Sequence, residues 1–210
     1  MTVTSAAEPG VPRIGILGGT FNPPHIAHLL CASEARAQLG LDRVWLMPAG
    51  VPPHKPTTDE PGVAHRVTMC RLAVAAHSEW LEVSELEVER EGPSYTADTL
   101  REVHAMHPDA ELTFIVGGDM AWSLPTWREP EAILELAQIA VAERVGARRE
   151  EVREQLAGLA GAGERVVYID VPRIDISSAA LRQRVRGGRP ITYLVPDAVS
   201  NYIAEWSLYT

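Results

Sequence analysis

Residues 14–28 constrain the fold most: Ile-Gly-Ile-Leu-Gly-Gly-Thr-Phe-Asn-Pro-Pro-His-Ile-Ala-His. An apolar run ends in the pair Gly18-Gly19, followed by the hydroxyl of Thr20, two prolines, and two histidines three residues apart. The spacing predicts a strand, a tight turn and a helix start that carries His25 and His28. In α/β proteins that turn is where phosphates bind. Main-chain N–H groups point outward there, and the helix dipole favours negative charge. Gly18 and Gly19 allow backbone to come close to a ligand, and Thr20 adds a hydroxyl. Asn22 is expected to cap the helix, with Pro24 in its first turn.

The rest of the chain alternates in the same way. Apolar runs at 14–17, 44–47, 112–116, 139–142 and 165–171 read as strands, and 81–88 alternates like a strand with one wet face. Helical spacing covers 28–39, 64–77, 96–107, 130–136, 179–185 and 196–206, with a charged, exposed helix expected at 148–159. A proline-rich loop at 48–62, carrying Lys55, has the composition of a segment that moves on binding. Strands joined by helices imply an α/β protein, a doubly wound parallel sheet with helices on both faces. No repeat or linker divides the 210 residues, so one domain is expected, with residues 1–12 as a frayed tail.

Composition narrows the function. With 19 basic and 28 acidic residues, the net charge is −9, which argues against nucleic-acid and anionic-membrane partners. Two cysteines, Cys31 and Cys70, are too few for a disulfide framework. No secretion signal or apolar span of membrane length is visible, so a cytoplasmic setting is expected. The turn after the first strand has no G-x-G-x-x-G and no G-x-x-x-x-G-K-[ST], which disfavours a dinucleotide oxidoreductase and a P-loop hydrolase. Two imidazoles at a helix start suit a triphosphate, since they donate hydrogen bonds and can carry charge. A zinc site from His25, His28 and Cys31 is an alternative reading of the same residues.

The run also resembles the nucleotidyltransferase signature G-G-[ST]-F-D-P-x-H-x-G-H. From about Arg13 onward the chain is similar to bacterial nicotinate-mononucleotide adenylyltransferases. Further blocks carry the likeness: Pro52-Pro53-His54-Lys55 with His65-Arg66; Ser94 to Leu100; Gly117-Gly118-Asp119 with Leu124 and Trp127; Ile176-Ser177-Ser178 with Arg182; and Tyr193 to Pro196. Asn22 stands where that family has Asp, Ala27 and Ala179 where it has Gly and Thr, and Gly118 where it has Ala. Gly118 is expected to matter little, whereas Ala27 is expected to press on the adenine.

The resemblance implies a Rossmann-like nucleotidyltransferase fold and adenylyl transfer from ATP to nicotinate mononucleotide, with Mg²⁺ carried in by ATP and no metal ligand from the protein. It implies that His25, His28 and Arg182 act on the reacting phosphates. Gly18, Gly19, Thr20, Phe21, Ser177, Ser178, Gly117 and Asp119 would bind ATP, with Asp119 on ribose hydroxyls. Lys55, Tyr95, Thr96 and Trp127 would bind the mononucleotide, Trp127 by stacking on the pyridine. The helix start at Tyr95-Thr96 would receive the nicotinate carboxylate. Nicotinamide mononucleotide as acceptor, and a nucleotide binder without catalysis, remain alternatives.

Overall fold

A computed structural model of the chain describes residues 10–52, 61–143 and 146–210. The expectations for most of the frayed tail, and for the centre of the proline-rich loop with Lys55, fall outside these residues. The chain runs β1 (Arg13–Gly19), α1 (Ile26–Leu39), β2 (Arg43–Pro48), α2 (Val63–Val74), β3 (Leu81–Val83), α3 (Leu86–Glu89) and α4 (Thr96–Met106). It continues β4 (Glu111–Gly117), α5 (Gly118–Ser123), α6 (Pro130–Leu136), β5 (Gln138–Ala142) and α7 (Ala147–Leu156). The last elements are α8 (Ala162–Arg165), β6 (Val166–Ile169), α9 (Ser178–Arg186) and α10 (Asp197–Glu205). The six strands form one sheet in the order β3-β2-β1-β4-β5-β6. The order reverses after β1 and β4. The loop leaving β1 at its carboxyl end is therefore the kind of place where an open α/β sheet takes a ligand.

The described residues gather into two compact units. The first holds residues 10–17, 32–44 and 95–171. Its strands pair in parallel: Ile14 to Leu17 lie opposite Leu112 to Ile115, Thr113 to Gly117 opposite Gln138 to Ala142, and Ile139 to Ala142 opposite Val166 to Ile169. Leu112 to Val116 is apolar except for one threonine and fully buried, because a central parallel strand is covered on both faces. The charged helix α7 is not wholly exposed as its composition implied. Val152 and Leu156, one turn apart, are buried, and Arg149 lies over the ring of Tyr168 at 4.6 Å.

The second unit holds residues 18–31, 45–94 and 172–210. Its core is a cluster of Met69, Ala73, Leu181, Ile191, Val195, Val199, Ile203, Leu208 and Tyr209. The segment 81–88 is only partly the strand expected from its alternation. β3 ends at Val83, and Leu86–Glu89 turns into the single-turn helix α3. Val88 and Glu89 both donate to the Glu85 carbonyl, which closes that turn, and a Cβ on Gly50 would collide with the Glu87 carbonyl. The backbone of α3 is thus seated against a glycine, a tertiary contact that local alternation cannot encode.

Candidate active site

The second unit gathers most of the residues expected to handle phosphate. Gly19 ends β1, and its missing side chain is filled by Phe21. A Cβ on Gly19 would sit 3.1–3.3 Å from the Phe21 ring. Phe21 has φ 49° and is 2% exposed, so its ring is folded back under the turn. Gly19 thus makes room for the ring that supports the turn. The Phe21 ring meets His28 edge-on, with centroids 5.0 Å apart.

His25 precedes α1 and does not belong to it. Its carbonyl accepts from His28 N–H and Leu29 N–H, so it closes the helix start. The two imidazoles are stacked, with centroids 3.6 Å apart and planes 21° from parallel. His25 N–H donates to His28 Nδ1 at 3.1 Å. That bond places the proton of neutral His28 on Nε2 and leaves an N–H to point at a ligand. Burial pushes the His25 pKa down to about 4; burial and then repulsion from His25 push His28 down to about 3.

These shifts link stability to pH. An unfolded histidine titrates near 6.5. Stability is therefore full above that value and falls as the unfolded chain takes up protons the folded chain refuses. Each histidine is expected to cost about 2 kcal/mol of folding stability between pH 7 and pH 5. Urea unfolding at the two pH values checks this, and His25→Asn should flatten the dependence.

Asn22 does not cap α1. It is buried, its Oδ1 accepts from the Tyr209 hydroxyl at 2.5 Å, and the bond from Asn22 to Pro23 is cis. Its carbonyl accepts from Arg182 Nη1 at 2.7 Å, and the Pro23 carbonyl accepts from Ser178 Oγ at 2.8 Å. Ser177 caps α9 by accepting from Ala180 N–H at 3.2 Å. Gly18, Gly19, Thr20, Phe21, His25, His28, Ser177, Ser178 and Arg182 all belong to this unit. Two buried nitrogens of the group, His25 Nδ1 and Arg182 Nε, have no hydrogen-bond partner. A buried polar atom left unpaired is costly and calls for an explanation.

Arg66 was not expected among the site residues. It is fully buried and donates to the Thr20 carbonyl at 3.0 Å and the Gly50 carbonyl at 3.3 Å, tying the turn to the next loop. The sequence signal was an arginine on the face of α2 that buries Val67, Met69, Cys70, Ala73 and Val74. A charge on an apolar stripe is there for a partner.

The first unit places the residues expected to bind the mononucleotide and ribose. Tyr95 precedes α4, which begins at Thr96 without a side-chain cap. Asp98 lies in its first turn, and Arg128 covers the Tyr95 ring at 4.7 Å. Trp127 is half-buried, donates from Nε1 to Ser123 Oγ at 2.9 Å and packs edge-on to Phe114. Gly117 ends β4 with open space where a side chain would be. Asp119, in α5, is strongly exposed and ion-paired with Arg148. A Cβ on Gly118 would meet the carboxylate at the end of the flexible Glu143 side chain, which can move aside.

The zinc alternative finds no support. Among the described residues, no group of three or more His, Cys, Asp or Glu is placed to hold a metal. Burial pushes the Cys31 thiol up to about 12. Among the described residues no helix is long and apolar enough to cross a membrane.

Comparison with known proteins gives concordant results. The cytidylyltransferase-like family model matches residues 16–184. The chain is 46% identical over 212 residues to a probable nicotinate-nucleotide adenylyltransferase of Citrifermentans bemidjiense, covering 94% of this chain and 98% of that protein. It is 40% identical over 197 residues to the nicotinate-nucleotide adenylyltransferase of Bacillus subtilis, with the same coverage of both. Its fold matches that of the Plasmodium falciparum nicotinic acid mononucleotide adenylyltransferase complexed with NaAD. That match has a TM-score of 0.77 at 20% identity and covers 94% of this chain and 97% of the other.

Proposed function

The chain belongs to the cytidylyltransferase-like family of nucleotidyltransferases, and from that premise we propose that it is a nicotinate-nucleotide adenylyltransferase. It joins the AMP part of ATP to nicotinate mononucleotide, giving nicotinate adenine dinucleotide and pyrophosphate in NAD biosynthesis. The observation that carries the reading is the phosphate turn. There the stacked His25–His28 pair is accompanied by Ser178 and Arg182, and the buried nitrogens His25 Nδ1 and Arg182 Nε await a partner.

The chemistry fits these residues. A phosphate oxygen of the mononucleotide attacks the α-phosphorus. The new bond is that oxygen to phosphorus, and the bond broken runs from the α-phosphorus to the oxygen bridging to the β-phosphate. The nucleophile is already anionic, so no general base is needed. The protein must supply alignment and donors where charge builds. His28 Nε2–H points its proton at the α-phosphate, Arg182 offers the rest of its guanidinium, and Ser178 stands at the start of α9. Gly18, Gly19, Thr20 and Phe21 shape the turn around the triphosphate, and Ser177 fixes the start of α9. Gly117 and Asp119 face the ATP ribose.

Tyr95 and Thr96 present the uncapped start of α4 to the nicotinate carboxylate, favouring the acid over the amide. Trp127, held by Ser123 and Phe114, offers a ring for the pyridine. Lys55, in the proline-rich segment of the sequence, is assigned to mononucleotide binding. Mg²⁺ bound with ATP would neutralise phosphate charge through phosphate and water oxygens. Nucleic acid and membrane have no part in this reaction, and an ATP-rich cytoplasm is its setting.

Labelled ATP tests the assignment. Label at the α-phosphate should appear in the dinucleotide and label at the γ-phosphate in pyrophosphate. γ-Label in the mononucleotide product would make the enzyme a kinase instead.

A further inference from the structure

We propose that the Tyr209 hydroxyl is a positioning group for the reacting phosphates, acting through Asn22; the inference rests on the adenylyl-transfer reading above. Tyr209 is 9% exposed and packs in the cluster formed with Met69, Val199 and Ile203. From there its hydroxyl reaches Asn22 Oδ1 at 2.5 Å, with Met69 Sδ at 4.0 Å. Asn22 is itself 5% exposed, so this bond lies away from water, where geometry is held tightly.

What Asn22 carries makes the bond consequential. The Asn22 carbonyl receives Arg182 Nη1, and the next carbonyl, that of Pro23, receives Ser178 Oγ. Two residues further on stands His25, stacked on His28. Arg182, Ser178 and the histidine pair are thus all referenced to one short stretch of backbone. Tyr209 holds the side chain of that stretch from a rigid apolar core. A tyrosine suits the task, since its ring is fixed by packing and only its oxygen addresses the turn. A drift of Asn22 moves several phosphate-binding groups together, and small misplacements near a reacting centre are costly.

Tyr209→Phe removes the oxygen and keeps the ring. We expect kcat to fall about ten-fold, with KM for ATP and for nicotinate mononucleotide changed less than about two-fold. Hydrogen exchange should quicken in residues 18–28 and stay unchanged in the helices that pack around Tyr209. In an Asn22→Ala background the same substitution should have no further effect. Unchanged kcat, full additivity with Asn22→Ala, or exchange that quickens throughout the core would overturn the proposal. Should Tyr209→Phe not fold, Asn22→Ala tests the bond from its other end: the same fall in kcat is expected, and unchanged kcat overturns it. If the unaltered chain forms no dinucleotide, the proposed function fails, and the exchange comparison then decides the positioning role alone.

Discussion

Replacing His28 with alanine is expected to lower kcat about a thousand-fold, the upper range for removing one preorganised donor from a charge-stabilising site, while the chain stays folded. The structural cost is confined. His28 is half-buried, and its Nδ1 accepts a single backbone N–H, that of His25. Leaving that N–H without an acceptor costs about 1–3 kcal/mol, which a domain of ordinary stability tolerates. His28→Asn separates the two roles. Its side-chain oxygen can replace Nδ1 as acceptor at the helix start, but its amide cannot reach where Nε2–H reaches. Stability should therefore return toward that of the unaltered chain while turnover does not. A stability loss that tracks the activity loss across both variants would reduce His28 to a structural residue.

Arg182→Ala carries the second large effect, about a hundred-fold or more in kcat. One nitrogen of Arg182 is spent on the Asn22 carbonyl and a second, Nε, is buried without a partner. The side chain is therefore fixed at one edge and keeps donor capacity that the protein itself does not use. Arg182→Lys should recover little, because an ammonium cannot hold the carbonyl and grip the anion in the fixed geometry of a fork. Steady-state kinetics with both nucleotides at saturation measure this directly. Recovery by lysine would mean that charge alone matters there.

Much of this was legible in the sequence because it is local. A glycine pair after an apolar run, a proline pair and two histidines three residues apart fix a strand, a turn and a helix start, and the structure has β1 and α1 there. The alternation of strands and helices likewise gave the order of elements. What escaped depends on distance along the chain. Asn22 resembles a helix cap in its own neighbourhood, yet its side chain is claimed by Tyr209, 187 residues away. The 81–88 segment alternates like a strand, but Gly50 lets the backbone turn at Leu86. The Asp119 carboxylate is met by Arg148 from α7, a partner that its own neighbourhood does not announce. Each miss is a tertiary partner choosing a side chain whose local options were open.

The most direct measurement is initial-rate pyrophosphate release with ATP and Mg²⁺, comparing nicotinate mononucleotide with its amide. Release that is strong with the acid and at least ten-fold weaker with the amide is the expected result. It would accord with a carboxylate received at the uncapped start of α4. Release with neither acceptor, from a chain that still binds ATP, would contradict the enzyme assignment.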